Sequence, residues 1–133
     1  MLRQLGFGVL LLAMTAAVAC GGGGAAASKT TTGSGGSAAP QDITVKGTDQ
    51  LRFQPERLTA KANTPIRLNL DDTGDALIHD FVIDNAGGKP FKVEAQPNSK
   101  ATGEFTVPAG TYQFYCSQPG HKEAGMVGII VAS

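Results

Sequence analysis

Near the end of the chain a thiol, an imidazole and a thioether recur at intervals of five residues, as Cys116, His121 and Met126. The run Ser117-Gln118-Pro119-Gly120 between the first two turns the backbone, and Gly125 frees it just before Met126, so all three side chains can converge from one loop. A second imidazole, His79, stands 37 residues ahead of Cys116 in an apolar stretch and must be brought in by folding. Soft sulfur with imidazole selects copper or zinc over magnesium, calcium or manganese. Two histidines, one cysteine and a weak axial methionine form the donor set of blue-copper electron-transfer sites. Such a set lies between the preferences of Cu(I) and Cu(II), so little need move when an electron does. Residue type alone leaves zinc open.

Taken singly, each of these residues has an ordinary structural reading. His79 on an apolar strand can be a satisfied core residue, Cys116 a small buried hydrophobe, Met126 core filling and His121 a solvated loop residue. Taken together they use both histidines of the chain at ligand spacing, and that conjunction favours the metal. A copper oxidase or reductase needs a further copper with further histidines, so the sequence predicts no enzyme.

The elements that must position these donors read as short β-strands. From Gln41 onward, apolar and β-branched runs alternate with Gly, Pro, Asn and Asp at roughly ten-residue spacing. Strands are expected over Ile43–Thr48, Arg57–Ala62, Pro65–Leu70, Ile78–Ile83, Phe91–Ala95, Ala101–Val107, Thr111–Cys116 and Val127–Ala132. Ile66, Leu68 and Leu70 alternate with Arg67 and Asn69, and Tyr112, Phe114 and Cys116 alternate with Gln113 and Tyr115, so each strand has one buried face. Turn residues cluster at Asp72-Thr73-Gly74-Asp75, Asn85-Ala86-Gly87-Gly88 and Pro108-Ala109-Gly110. Seven to eight such strands predict an all-β sandwich, with at most one helical turn in Ser117–Gly125.

Ahead of this domain, residues 1–19 read as an export signal, with Arg3, an apolar stretch from Leu5 to Val18, and small residues before Cys20. Cys20 is a candidate lipid-attachment residue of the lipoprotein type; an ordinary signal-peptidase site and an uncleaved apolar segment are the alternatives, and all three place the domain outside the cytoplasm. Residues 20–40 are almost wholly Gly, Ala, Ser and Thr, a flexible tether with a reach of about 25 Å. The remaining 93 residues, 41–133, suffice for one small domain. Eleven basic side chains balance eleven acidic ones, which argues against a nucleic-acid surface. Cys20 and Cys116 are separated by the tether and are not expected to pair, and metal ligation would protect the lone thiol in an oxidising compartment.

Residues 41–133 resemble a cupredoxin of the plastocyanin, azurin and auracyanin group. The Cys116, His121 and Met126 spacing is similar to that of auracyanins, and Ser117-Gln118-Pro119-Gly120 resembles the azurin-type loop. The resemblance implies a Greek-key β-sandwich with one copper ion at one end, Cu(I)/Cu(II) cycling and a one-electron carrier role. It implies that His79 and His121 bind through Nδ1, that Cys116 gives the short strong bond and that Met126 is axial. It also implies that the peptide N–H groups of Asp80 and Gln118 point at the Cys116 sulfur, which would raise the potential. These families commonly carry Asn after the first histidine, and Asp80 stands there instead. An anion beside the site would favour Cu(II).

Electrons are expected to enter near His121, with Leu77, Ile78, Pro119, Ala124 and Val127 as a candidate apolar docking patch for brief encounters with redox protein partners such as membrane complexes or cytochromes. A copper carrier or donor using the same ligands is the competing function. The two differ in how readily the metal leaves.

Overall fold

The computed structural model describes residues 38–133. The expected signal (1–19), Cys20 and all of the tether up to residue 37 lie outside the described residues.

Nine strands form two sheets, with no helix among the described residues. The first sheet holds β1 (Gln41–Thr48), β2 (Arg52–Gln54), β4 (Ile66–Asp71) and β7 (Lys100–Phe105) in the order β2-β1-β4-β7. The second holds β3 (Arg57–Ala60), β5 (His79–Ile83), β6 (Phe91–Ala95), β8 (Gly110–Tyr115) and β9 (Val127–Ala132) in the order β3-β9-β8-β5-β6. Both sheets are mixed: β1 runs parallel to β4 and β3 parallel to β9, while the other pairs are antiparallel. The β-sandwich expected from the alternating runs is therefore the fold.

Alternation decides which residues meet between the sheets. In β4, Ile66, Leu68 and Leu70 are fully buried while Arg67, Asn69 and Asp71 are half-buried on the other face. Phe53, Phe81 and Phe114 close the core as one aromatic group: Phe81 stacks on Phe114 at 4.4 Å and Phe53 meets Phe114 edge-on at 5.2 Å. Each such ring removed from water contributes about 2 kcal/mol. β9 passes so close to Phe114 that a Cβ at Gly128 would strike the ring and the Glu56 carbonyl, which explains a glycine inside a strand.

Six of the eight expected strands shift by one or two residues at an end, and one strand is added. β2 is an added short strand, because Arg52, Gln54 and Glu56 surround a single apolar Phe53 and three residues show no period. Ile78 stays outside β5, 37% exposed, and the strand begins at His79. β7 ends at Phe105, and Val107 beyond it remains buried while its carbonyl accepts the Asn63 N–H.

Strand direction fixes the position of the candidate donors. β5 starts at His79 and runs antiparallel to β8, pairing Val82 with Tyr115, so the start of β5 and the end of β8 share one end of the sandwich. β8 and β9 pair from Gly110–Ala132 to Tyr115–Val127, and the eleven-residue excursion between them carries Cys116, His121 and Met126 at that same end.

Candidate metal centre

Cys116 follows directly on β8, fully buried and in free thiol form. Its peptide N–H donates to the Met126 carbonyl at 3.1 Å, and the Met126 N–H donates to the His121 carbonyl at 2.9 Å. These two bonds tie the three residues into one compact loop. Within it the chain makes a single turn, with the Ala124 N–H on the Gly120 carbonyl at 3.0 Å and the His121 N–H on the Gln118 carbonyl at 3.1 Å. The Pro119-Gly120 signal in the sequence accounts for this turn, with Gly120 at φ 80° and Gly125 at φ 101°. Arg52 adds an outer brace, donating from Nη1 to the Gly125 carbonyl at 2.7 Å.

Sγ of Cys116 lies 3.4 Å from Nδ1 of His121, and the rings of His79 and His121 lie 5.2 Å apart at 55°. Met126 and His79 have no exposed surface, whereas His121 is half-buried at the rim. The thiol and the two imidazoles thus lie together at one end of the fold, with Met126 buried in the same loop. His79 departs from the expected ring orientation: its Nδ1 faces Asp72 Oδ2 at 3.3 Å and Asp75 Oδ2 at 3.9 Å.

Electrostatics around the sulfur are opposed. Burial pushes the Cys116 thiol up to about 11, and the peptide N–H groups of Asp80 and Gln118 pull it back. The Asp80 N–H reaches Sγ at 3.4 Å. A metal that takes this sulfur must therefore displace its proton, which only a strong Lewis acid does near neutral pH. Desolvation, with His79 nearby, holds His121 below its ordinary value, leaving the imidazole neutral and its lone pair available.

Asp80 has no exposed surface. Its carboxylate accepts from the Ser117 N–H, from Ser117 Oγ at 2.6 Å and from Lys92 Nζ at 2.8 Å. Burial works against its charge, but the Lys92 and Ser117 bonds outweigh that and hold the carboxyl below its ordinary value. The anion expected from the sequence is there, with a cation attached. Gln118 is half-buried and its amide donates to Glu94 at 3.3 Å.

Leu77, 38% exposed, and Ile78 precede His79 at this end; Pro119 and Ala124 are exposed in the ligand loop and Val127 is half-buried at the start of β9. Sequence reasoning missed Asp72, Asp75, Gly47, Lys92 and Arg52. Asp72 and Asp75 read as surface turn residues, and the signal that could have marked them was the density of acids just ahead of His79.

The residues present fit a copper ion. Both ring nitrogens of His79 are buried without a hydrogen-bond partner, the thiol is unpaired, and sulfur with imidazole is the soft set that copper accepts. A β-sandwich with such a set at one end defines a class of small soft-donor metal proteins. Within it, the chain belongs to the cupredoxin-like domain family, whose model matches residues 9–132. The family is that of the cupredoxins, and its cofactor is a single copper ion.

Among curated proteins it is similar to the copper-resistant cuproprotein CopI of Rubrivivax gelatinosus, 29% identical over 112 residues covering 70% of this chain and 67% of that one. Among solved structures it is similar to auracyanin B (22% identity, 70% of this chain and 88% of that chain, TM-score 0.63). Two more are the blue copper protein auracyanin A of Chloroflexus aurantiacus (21%, 71% and 99%, 0.58) and the dithionite-reduced auracyanin of Roseiflexus castenholzii (21%, 72% and 99%, 0.60). At these identities the structural likeness speaks for the fold.

Proposed function

We propose that this chain is an exported single-electron carrier whose copper is held by His79, Cys116, His121 and Met126, with Met126 as the axial donor. The observation that carries the reading is the 3.4 Å approach of Cys116 Sγ to His121 Nδ1 beside the buried His79 ring. Copper would supply the one-electron couple. The chain's own residues do the rest: three buried ligands, His79, Cys116 and Met126, exclude water, and the backbone bonds between Cys116, Met126 and His121 hold the donors still through a change of charge. Half-buried His121 at the rim, near exposed Leu77, Ile78, Pro119 and Ala124, offers a short route to a redox partner docked on that end. Attachment through Cys20 and the tether would keep the domain near membrane partners.

The competing reading, a copper carrier or donor, is favoured by the likeness to a copper-resistant cuproprotein. Catalysis within one chain is disfavoured because His79 and His121 are its only histidines. The test is a visible spectrum of the full chain loaded with Cu(II), before and after ascorbate. An intense blue band that ascorbate bleaches, with slow loss of copper to a chelator, is expected; a pale spectrum or rapid loss would move the assignment to delivery or to zinc.

A further inference from the structure

The register of β5 against β6 sets Asp80 directly opposite Glu94 and Val82 opposite Lys92. Two acids facing each other across a ladder repel, so this register calls for a cation within reach. Lys92, diagonal to Asp80 on the same face, supplies it. Its Nζ lies 2.8 Å from Asp80 Oδ2, 3.5 Å from Glu94 Oε2 and 3.3 Å from Ser117 Oγ. Among the described residues, Lys92 alone forms an ion pair with Asp80.

The two acids are not equivalent. Glu94 is well exposed and water screens it, whereas Asp80 has no exposed surface. The charge of Asp80 is therefore felt by what lies beside it, and what lies beside it is the candidate metal centre. Asp80 follows His79 in β5, and its N–H reaches Cys116 Sγ at 3.4 Å. Its carboxylate accepts both the N–H and the hydroxyl of Ser117, the residue after Cys116. An anion fixed there stabilises Cu(II), the more positive ion, over Cu(I). The neutral Ser117 groups hold that charge in place without cancelling it.

We propose that Lys92 is the charge-compensating residue of the copper centre: its ammonium cancels the Asp80 carboxylate, so the reduction potential is set nearly as if a neutral residue followed His79. That role rests on the copper reading of His79 and Cys116. Lys92 acts through Asp80 and touches none of the four donors. It also reaches the site from outside, half-exposed on β6, so it can be replaced without disturbing the ligand loop. An ion pair that served the fold alone would have the same contacts and leave no trace in the potential.

The experiment measures reduction potential and urea stability for the full copper-loaded chain and for K92M, K92R, D80N and D80N/K92M, all at one mildly alkaline pH. K92M leaves the buried carboxylate without its cation. It is expected to keep the blue band and to shift the balance of Cu(I) over Cu(II) affinity about tenfold toward Cu(II), a fall of about 59 mV for one electron. K92R retains the cation and should stay near the unsubstituted potential. D80N removes the anion and releases the lysine to solvent, so it should move the potential less than a third as far as K92M does, and adding K92M to it should change nothing further. A K92M protein that loses stability but keeps its potential makes the pair structural alone and overturns the proposal. So does a large rise in D80N, which would mean that the copper feels an uncancelled anion, and so does a K92M shift of equal size with and without Asp80, which any surface charge would give. If K92M fails to fold, the D80N result decides, since asparagine there requires no cation. Failure of the copper reading looks different, since the blue band would then be missing before any substitution.

Discussion

Asp80 and Asp72 both neighbour His79 and both have no exposed surface, yet the chain supplies donors to only one of them. Asp80 receives Lys92 and two groups of Ser117, and its carboxyl is held below the ordinary value despite burial. Asp72 faces only the His79 ring, and burial, opposed by His79, leaves its carboxyl above that value. A buried charge with donors stabilises the fold, and one without them costs stability that some other role must justify. Asp80 therefore reads as structure, stapling the end of β8 to the start of β5, whereas Asp72 is a buried, unpartnered carboxylate that costs the fold stability.

Removal of Asp80 should produce the largest change. Asp80→Ala strands the Ser117 N–H and frees Lys92, and is expected to destabilise the metal-free protein by about 2 kcal/mol in urea unfolding. A loss below a quarter of that would mean the staple is ornamental. Asp72→Asn should act with the opposite sign on the metal-free fold, raising stability by about 1 kcal/mol, because a buried unpartnered charge is removed. Equal signs for the two substitutions would erase the distinction between them.

Asp71, next to Asp72, supplies the partnered case at the surface. Hydrogen bonds from Lys100 and Thr73 hold its carboxyl well below the ordinary value of 3.8. A depressed acid contributes stability that is present above its unfolded value and lost as pH falls through the folded one. Asp71→Asn should thus cost about 0.5 kcal/mol at neutral pH and nothing in strong acid, where the wild-type pair is already broken. Parallel pH profiles for the two proteins would count against that pairing.

The same contrast explains what the sequence reveals. The loop donors are legible because Cys116, His121 and Met126 lie within eleven residues and their geometry is local, set by Pro119-Gly120 and Gly125. Strands with an alternating face, such as β4, are legible for the same reason: period two is written along the chain. β2 is not, because it exists only by pairing with β1. Asp72 is hidden more deeply, since its run Asp72-Thr73-Gly74-Asp75 has the composition of a solvated turn. Its burial comes from β1 passing over it with Gly47 in place, a coincidence of residues far apart in the chain.

Glu94→Ala should have the smallest effect and sharpens the Asp80 side of the comparison. Lys92 Nζ lies 2.8 Å from buried Asp80 and 3.5 Å from Glu94, and both Lys92 and Glu94 are well exposed. If Asp80 alone holds the ammonium, solvent replaces Glu94 at little cost, and stability should fall by less than about 0.3 kcal/mol. A loss approaching that of Asp80→Ala would instead mean that the three charges act as a unit, with Glu94 aiming the lysine that neutralises the carboxylate next to His79. A double-mutant cycle over Asp80 and Glu94 separates the two cases, with a coupling near zero expected.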